Sequence, residues 1–190
     1  MTLFVGLGNP GSQYEDTRHN IGFKIVDALI EDLGARDISK QTFHGELYRT
    51  ASTLFLKPTT FMNLSGKSVL PVKQFFKVEL DDIIVIHDDI DLPFGAVRFK
   101  KGGGHGGHNG LKSIDAMVGK EYLRVRVGVG KPERKSQVAD YVLHRFNDEE
   151  MACLPALVAH VKDAAKALLH QELNWVKSHY SLKSIEGICP

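Results

Sequence analysis

The sequence is poor in cysteine and contains no long apolar run. Its two cysteines, Cys153 and Cys189, lie far apart in a chain of 190 residues, so we expect them to stay unpaired in a reducing cytoplasm. No apolar run approaches the roughly 18 residues of a membrane-spanning helix. The first residues, MTLFVGLGNPG, lack the basic and long apolar regions of a secretory signal peptide. We therefore expect a cytoplasmic protein.

The chain also lacks an excess of either charge, because 24 Lys and Arg residues are matched by 23 Asp and Glu residues. Apolar residues make up 43% and charged residues 25%, which is typical of globular proteins and excludes disordered, collagen-like and coiled-coil classes. A chain of this length buries about 70% of its unfolded surface. We therefore expect one domain that spans residues 1–190.

The charge is unevenly distributed along the chain. Residues 97–135 hold ten basic residues against three acidic ones, a net charge of +7, which leaves −6 for the rest of a chain whose total is +1. A basic region on an otherwise acidic protein favours a polyanionic partner bound at one place. The alternative is a solvated face with scattered lysines.

Apolar strand patterns alternate with helical patterns along the chain. Strands are predicted at residues 2–7, 46–57 (two strands around a turn), 83–87, 97–100 and 123–129. Helices are predicted at residues 20–33, 65–77 and 111–118 and through the final third, with Asn20 as a cap, Gly34 as a terminator, and Pro71 forcing a late start or a bend. This alternation indicates an α/β layered domain with a parallel or mixed sheet, in which ligands bind beyond the carboxyl ends of strands.

The segment GLGNPG at residues 6–11 matches the dinucleotide-binding pattern GxGxxG after a strand. That pattern requires the glycines to open a helix directly onto a pyrophosphate, whereas Pro10 and a polar stretch separate them from the helix predicted near Asn20. We therefore expect no nucleotide cofactor. The glycines either make room for a tight turn or bring the backbone and Asn9 close to a substrate.

His19 ends this glycine-containing loop, just before a predicted helix. An imidazole in that position can abstract a proton from water near neutral pH, although a histidine before a helix is often structural. Asp88, at the carboxyl end of a predicted central strand, is the best candidate to fix the tautomer of His19 and stabilise its imidazolium. No GxSxG segment is present, so water is the expected attacking group.

Candidate metal ligands and a glycine-rich loop lie between residues 87 and 110. The acidic segment at residues 87–91, or His105 with His108, offers metal-binding side chains, but neither set has a complete ligand spacing, so we predict no metal. Residues 102–110 include six glycines among nine. Such a loop suits a close approach of backbone to a ligand, or a gate, and a disordered surface loop is the alternative.

The segment Thr59–Ser65 places an aromatic ring, a thioether and an amide before a helix. Phe61 and Met62 are typical of a core, and Asn63 of a cap. In a functional interpretation, Asn63 and Asn109 are neutral amides able to hold a peptide backbone through paired donor and acceptor groups.

Four segments together resemble the bacterial peptidyl-tRNA hydrolase family, and the resemblance covers nearly the whole chain. They are GLGNPG with YEDTRHNIGF (6–23), KPTTFMNLSG (57–66), HDDIDLPFG (87–95) and KKGGGHGGHNGLKSI (100–114). The resemblance implies a single-domain three-layer α/β/α sandwich around a twisted mixed sheet, monomeric and without cofactor or metal. It also implies hydrolysis of the ester between a peptide's C-terminus and the tRNA 3′ ribose, with peptidyl-tRNA bound at its acceptor stem and 3′ CCA end.

The motif match implies a role for individual residues. His19 would be the base that activates water, Asp88 would hold His19 in its basic form, and Asn9 would position the substrate and separate N-blocked from free aminoacyl-tRNA. The remaining implied contacts to peptide and tRNA are Tyr14, Phe61, Asn63 and Asn109 in the cleft, Met62 and His108 near it, and Lys100 and Arg126 at the tRNA 5′ phosphate region.

Several points stay open at this stage. The oxyanion of an ester hydrolysis needs donors, and both Asn9 and Asn109 carry a suitable amide. A nucleotide-cofactor oxidoreductase is favoured only by GxGxxG, and a non-catalytic RNA-binding module is favoured by the basic region at residues 97–135.

Overall fold

The computed structural model describes residues 1–189. Within them, seven strands form one sheet: β1 (Thr2–Gly6), β2 (Arg36–Asp37), β3 (Gly45–Arg49), β4 (Thr53–Pro58), β5 (Ile83–Asp89), β6 (Val97–Lys101) and β7 (Leu123–Gly128). The helices are α1 (Ile21–Leu33), α2 (Gly66–Phe76), α3 (Asn109–Val118), α4 (Val138–Leu143), α5 (Asp148–Leu168) and α6 (Leu173–Tyr180). None of the helices in this range is long and apolar enough to cross a membrane.

The sheet is mixed, as predicted. Its strand order is β2-β3-β4-β1-β5-β7-β6. The four central strands β4, β1, β5 and β7 run parallel, whereas β2, β3 and β6 pair antiparallel with their neighbours. The carboxyl ends of the central strands therefore meet at one edge of the sheet.

Helices cover both faces of the sheet, which makes the three-layer sandwich. Alternate side chains of a strand point to opposite faces, and in β1 Phe4 joins a core with Ile25 of α1 and Leu157 of α5. Val5 joins the other core, which includes Val69 of α2 and Ile114 of α3. The fold class predicted from the sequence is confirmed.

The glycines of GLGNPG are needed for close packing of α1 on β1. A Cβ atom on Gly6 would overlap the carbonyl oxygen of Gly22 in α1, and one on Gly8 would lie 2.7 Å from the Phe23 ring. Two short helical turns, Ser12–Tyr14 and Arg18–Asn20, precede α1. The helix therefore does not open directly after β1, as a dinucleotide site requires.

Some details differ from the sequence prediction. Pro71 lies inside α2 rather than delaying its start, and α3 begins at Asn109, two residues earlier than expected. Gly34 ends α1 in the left-handed conformation as predicted, with φ of 62°. Asn20 precedes α1 but its side chain makes no capping bond there, because that side chain is bonded to Asn9 instead.

The two cysteines, expected to be unrelated, lie side by side in the structure. Leu182 forms an isolated antiparallel bridge with Val97 of β6, so the chain after α6 folds back over the domain. This path brings Cys189 to Cys153 in α5, with their Cα atoms 5.5 Å apart. The 36 residues between them in sequence gave no indication of this approach.

Candidate active site

A cavity of about 1040 Å³ opens at the edge of the sheet where the central strands end. The carboxyl end of β5 lines it, together with Arg124 and Arg126 of β7, the glycine-rich loop and part of the segment 131–142. Six of the sequence-predicted site residues line it: His19, Asp88, Lys100, His108, Asn109 and Arg126. The structure thus brings together side chains from four separate parts of the chain.

His19 and Asp88 are in direct hydrogen-bond contact. His19 lies in the helical turn Arg18–Asn20 before α1, and its Nδ1 is 2.7 Å from Oδ2 of Asp88. Asp88 is near the end of β5 and is 1% exposed. Because a carboxylate only accepts, Nδ1 carries the proton and Nε2 of His19 keeps its lone pair.

His108 binds the other oxygen of the same carboxylate. Its Nε2 is 2.8 Å from Oδ1 of Asp88, while its Nδ1 accepts the backbone N–H groups of Gly110 and Leu111 at 3.1 and 3.3 Å and so caps α3. An Nδ1 that accepts must be unprotonated, so Nε2–H donates to Asp88. The glycine-rich loop thereby fixes Asp88 through the carboxylate oxygen that His19 does not bind.

The two histidines determine the charge of Asp88. Burial alone would raise the pKa of this carboxyl, but its electrostatic interactions with His19 and His108 and their N–H bonds outweigh burial and hold the pKa far below its ordinary value of 3.8. Asp88 therefore stays ionised and can stabilise a positive charge on His19.

His87 is a buried neighbour that sequence reasoning did not assign to the site. Its Nδ1–H donates to the carbonyl oxygen of Asp88 at 2.7 Å, and its Nε2 is buried without a hydrogen-bond partner among residues 1–189. Burial, followed by the electrostatic interaction with His108, lowers the pKa of His87 to about 4. The ring therefore stays neutral beside the His19–Asp88 pair near neutral pH.

The His19, Asp88 and His108 ligand atoms all lie within 4.8 Å of one another, a set that differs from both metal sites considered from the sequence. A tetrahedral zinc ion about 2.05 Å from each ligand separates the ligand atoms by about 3.3 Å. The contacts of 2.7 and 2.8 Å to Asp88 are shorter and are those of charge-assisted hydrogen bonds. Hydrogen bonding accounts for this arrangement without a metal.

Asn9 is held in one orientation by two parts of the chain. The side chain of Asn20, next to His19, accepts the Asn9 N–H and donates to the Asn9 carbonyl oxygen, both at 2.9 Å. The backbone N–H of Met62 donates to Oδ1 of Asn9 at 2.8 Å. Because Oδ1 is already occupied, the Nδ2 donor is the part of the Asn9 side chain left for a substrate. Asn20 was read only as a helix cap from the sequence.

The predicted peptide-binding residues lie apart from the cavity. Tyr14, Phe61, Met62 and Asn63 do not line it, and neither does Asn9, which accepts the bond from Met62 N–H. Met62 is 5% exposed and belongs to the core. Asn63 is exposed, as is Asn109 on the cavity side.

Phe61 has an unusual backbone and an exposed ring. Its φ of 68° lies in the region that favours glycine, yet 52% of the residue is exposed. The ring stands edge-on to Tyr14, with centroids 6.4 Å apart. Strain of this kind in a bulky residue concentrates at functional sites, which supports Phe61 as a binding residue and not a core residue.

Several basic side chains line the cavity, and together we call them its basic wall. Lys100 is exposed, and Arg126 is paired through Nε with Oδ2 of Asp89 at 2.7 Å. Lys131 and Lys135 also line the cavity. Together with Arg124, five of the ten basic residues in the region 97–135 line the cavity, and the other five do not.

Arg124 is a functional residue that the sequence did not single out. It is 1% exposed. Its Nη1 donates to the carbonyl oxygen of Gly104 at 2.6 Å, and its Nη2 donates to Asp115 at 3.2 Å. Arg124 thus ties the glycine-rich loop to β7 and α3.

Fold and site together define an α/β sandwich with a histidine–aspartate pair at the carboxyl edge of its sheet. The family model described as peptidyl-tRNA hydrolase matches residues 3–186. The chain is 77% identical to a Sulfurovum peptidyl-tRNA hydrolase over 188 residues, covering 99% of this chain and 100% of that protein. It is 56% identical to the Wolinella succinogenes peptidyl-tRNA hydrolase, covering 96% of each.

A solved structure gives the same result. The crystal structure of peptidyl-tRNA hydrolase from Acinetobacter baumannii superposes with a TM-score of 0.92 at 35% identity, covering 97% of this chain and 96% of that one. The chain belongs to the peptidyl-tRNA hydrolase family.

Proposed function

We propose that this chain hydrolyses the ester between the C-terminus of a peptide and the 3′ ribose of tRNA, with water as the attacking group and His19 as the general base. The 2.7 Å bond between His19 Nδ1 and Asp88 Oδ2 carries the proposal, because it leaves Nε2 free to take a proton. Family membership supports the substrate and the reaction. It gives no support to a nucleotide-cofactor oxidoreductase.

The reaction proceeds in two proton transfers. His19 Nε2 takes a proton from water as the oxygen attacks the ester carbonyl, and Asp88 stabilises the imidazolium that forms. When the tetrahedral intermediate collapses, His19 returns the proton to the ribose oxygen that leaves. The products are a free peptide carboxyl group and free tRNA, and no covalent enzyme intermediate is needed.

The oxyanion of the intermediate needs a fixed donor. Asn9 supplies it through Nδ2, because its Oδ1 is held by Met62 N–H and its backbone is held by Asn20. The same amide positions the substrate and favours an N-blocked over a free aminoacyl group. Asn109, which is exposed, contacts the substrate and not the oxyanion.

The remaining residues bind the two ends of the substrate. Tyr14, Phe61 and Asn63 contact the peptide and the 3′ CCA end, with Met62 supporting them from the core. Lys100 and Arg126 bind phosphate at the 5′ end of the acceptor stem. Such contacts fix register and orientation without reading base sequence.

The protein acts as a single-domain monomer in the cytoplasm, and it uses neither a metal nor an organic cofactor. The support for hydrolysis without a metal is chemical. An ester has a better leaving group than an amide, so a base and oxyanion donors suffice.

The experiment compares His19→Ala with His170→Ala in hydrolysis of N-acetyl-aminoacyl-tRNA. His170 is exposed and lies beyond α5. We expect His19→Ala to lose turnover by at least about a thousandfold while its affinity for tRNA is retained, and His170→Ala to match the wild type. Turnover near the wild-type rate in His19→Ala would remove the mechanism.

A further inference from the structure

The buried side chain of Arg18 ties the turn that carries His19 to a distant part of the chain. Arg18 Nη2 donates to Oε1 of Glu150 at 3.0 Å, and the two side chains are 10% and 12% exposed. Its Nη1 donates to the carbonyl oxygen of Tyr141 at 3.2 Å. The guanidinium carbon also lies 4.1 Å from the centroid of the Tyr141 ring. One side chain thus contacts both α4 and the first turn of α5.

The backbone beside Arg18 makes the same connection. The Arg18 N–H donates to the carbonyl oxygen of His144 at 3.1 Å, and Thr17 forms an antiparallel bridge with Arg145. The segment just before His19 is therefore paired with the segment that joins α4 to α5.

Glu150 is itself fixed, so it is a rigid partner for Arg18. Its Oε1 accepts the Asn147 N–H at 2.9 Å, and its own N–H donates to Oδ1 of Asn147 at 2.8 Å. These two bonds form the capping box at the start of α5. The carboxylate cannot follow Arg18 if the turn moves.

The helix held by Arg18 is also a wall of the cavity. Val138, Ala139 and Val142 of α4 line it, as does His19. The bonds of Arg18 to Tyr141 in α4 and to Glu150 in α5 therefore set the position of the base relative to this wall.

We propose that Arg18 is a positioning residue for ester hydrolysis, which fixes His19 against the α4 wall through its bonds to Tyr141 and Glu150. The inference rests on the proposed role of His19 as the base. A lysine cannot replace it fully, because only the planar guanidinium donates in two directions and stacks on a ring at once. A misplacement of about 1 Å costs a reaction up to about a hundredfold in rate.

The test uses Arg18→Met, Glu150→Met and the double variant, with Lys166→Met as a matched control. Lys166 forms an ion pair with Asp32 at 2.7 Å, which joins α5 to α1 on an exposed surface. We expect kcat to fall at least about tenfold in each single variant, with KM and the dissociation constant for tRNA within about twofold. The double variant should be no slower than the slower single one, because the pair acts as a unit. The control should keep the wild-type kcat.

A spectroscopic readout separates positioning from loss of stability. In the ¹H–¹⁵N spectrum of the imidazoles, the His19 Nδ1–H signal, assigned by its loss in His19→Ala, should shift or broaden in Arg18→Met and stay unchanged in Lys166→Met. If Arg18→Met does not fold, Arg18→Lys replaces it, with the same loss confined to kcat and the same spectral change expected.

Three outcomes would overturn the inference: a folded Arg18 variant with wild-type kcat and spectrum, a loss confined to KM or tRNA affinity, or additive losses of kcat in the double variant. An active His19→Ala would instead overturn the proposed function. The two failures are therefore distinguishable.

Discussion

Oδ1 of Asn9 accepts a hydrogen bond from the backbone N–H of Met62 at 2.8 Å, across 53 residues of sequence. This bond decides which way the amide of Asn9 faces, because the oxygen is used inside the protein and the nitrogen is left for the substrate. It also joins the loop after β1 to the segment that carries Phe61 and Asn63.

Replacing the amide nitrogen tests the oxyanion assignment. Asn9→Asp retains the acceptor for Met62 but removes the Nδ2 donor and adds a negative charge where the oxyanion forms. We expect the single-turnover rate constant to fall about 100- to 1000-fold, with little change in tRNA affinity. Asn109→Ala, measured in parallel, should lose far less. A larger loss in Asn109→Ala would move the oxyanion donor to the glycine-rich loop.

If the basic wall of the cavity binds tRNA phosphates, substitutions of Lys100 and of Asp89 should have opposite effects on tRNA affinity. Lys100→Ala should weaken tRNA binding and lower the slope of log Kd against log salt by about one. Asp89→Asn should tighten tRNA binding, because it releases the Arg126 guanidinium from the ion pair at 2.7 Å. Fluorescence titration of tRNA at several salt concentrations measures both. Binding that does not depend on salt would argue against phosphate contacts at this wall.

His87 predicts a dependence of stability on pH. Its pKa is lowered from 6.5 to about 4 in the folded protein, so the unfolded chain takes up a proton first as the pH falls. The contribution of His87 to the free energy of unfolding is fully present above about pH 6.5. It falls by about 3 kcal/mol at most as the pH decreases from 6.5 to 4.

Urea unfolding of His87→Asn measures this contribution. Asparagine keeps a donor for the Asp88 carbonyl but does not titrate. As the pH falls from 6.5 to 4, the wild type should lose the His87 contribution and the variant should not, so the difference between their free energies of unfolding should shrink. Stability curves that run parallel over this range would show that His87 is not buried in neutral form.

Much of the fold follows from local patterns, because apolar periodicity and glycine position act over a few residues. The strands and the helix that ends at Gly34 were predicted this way. His19 and Asp88 were recognisable from their positions. His19 ends a loop just before a helix, and Asp88 lies at the carboxyl end of a strand.

The rest depends on contacts that no local pattern records. Glu150 lies 132 residues after Arg18, and strand alternation predicts the face of Arg124 but not that the glycine-rich loop buries it. The capping role of His108 depends on where α3 begins. The glycine-rich composition of the loop gives no local signal for that residue. The approach of Cys189 to Cys153 requires the return path of the chain after α6.

The proposed catalytic mechanism depends most on Asp88, which holds His19 as a base. Asp88→Asn is nearly isosteric but cannot accept the N–H groups of both His19 and His108, so the tautomer of His19 is no longer fixed. In single-turnover hydrolysis of N-acetyl-aminoacyl-tRNA, we predict a rate about 1000- to 10,000-fold below wild type, with tRNA affinity retained. Hydrolysis by Asp88→Asn at close to the wild-type rate would contradict the account.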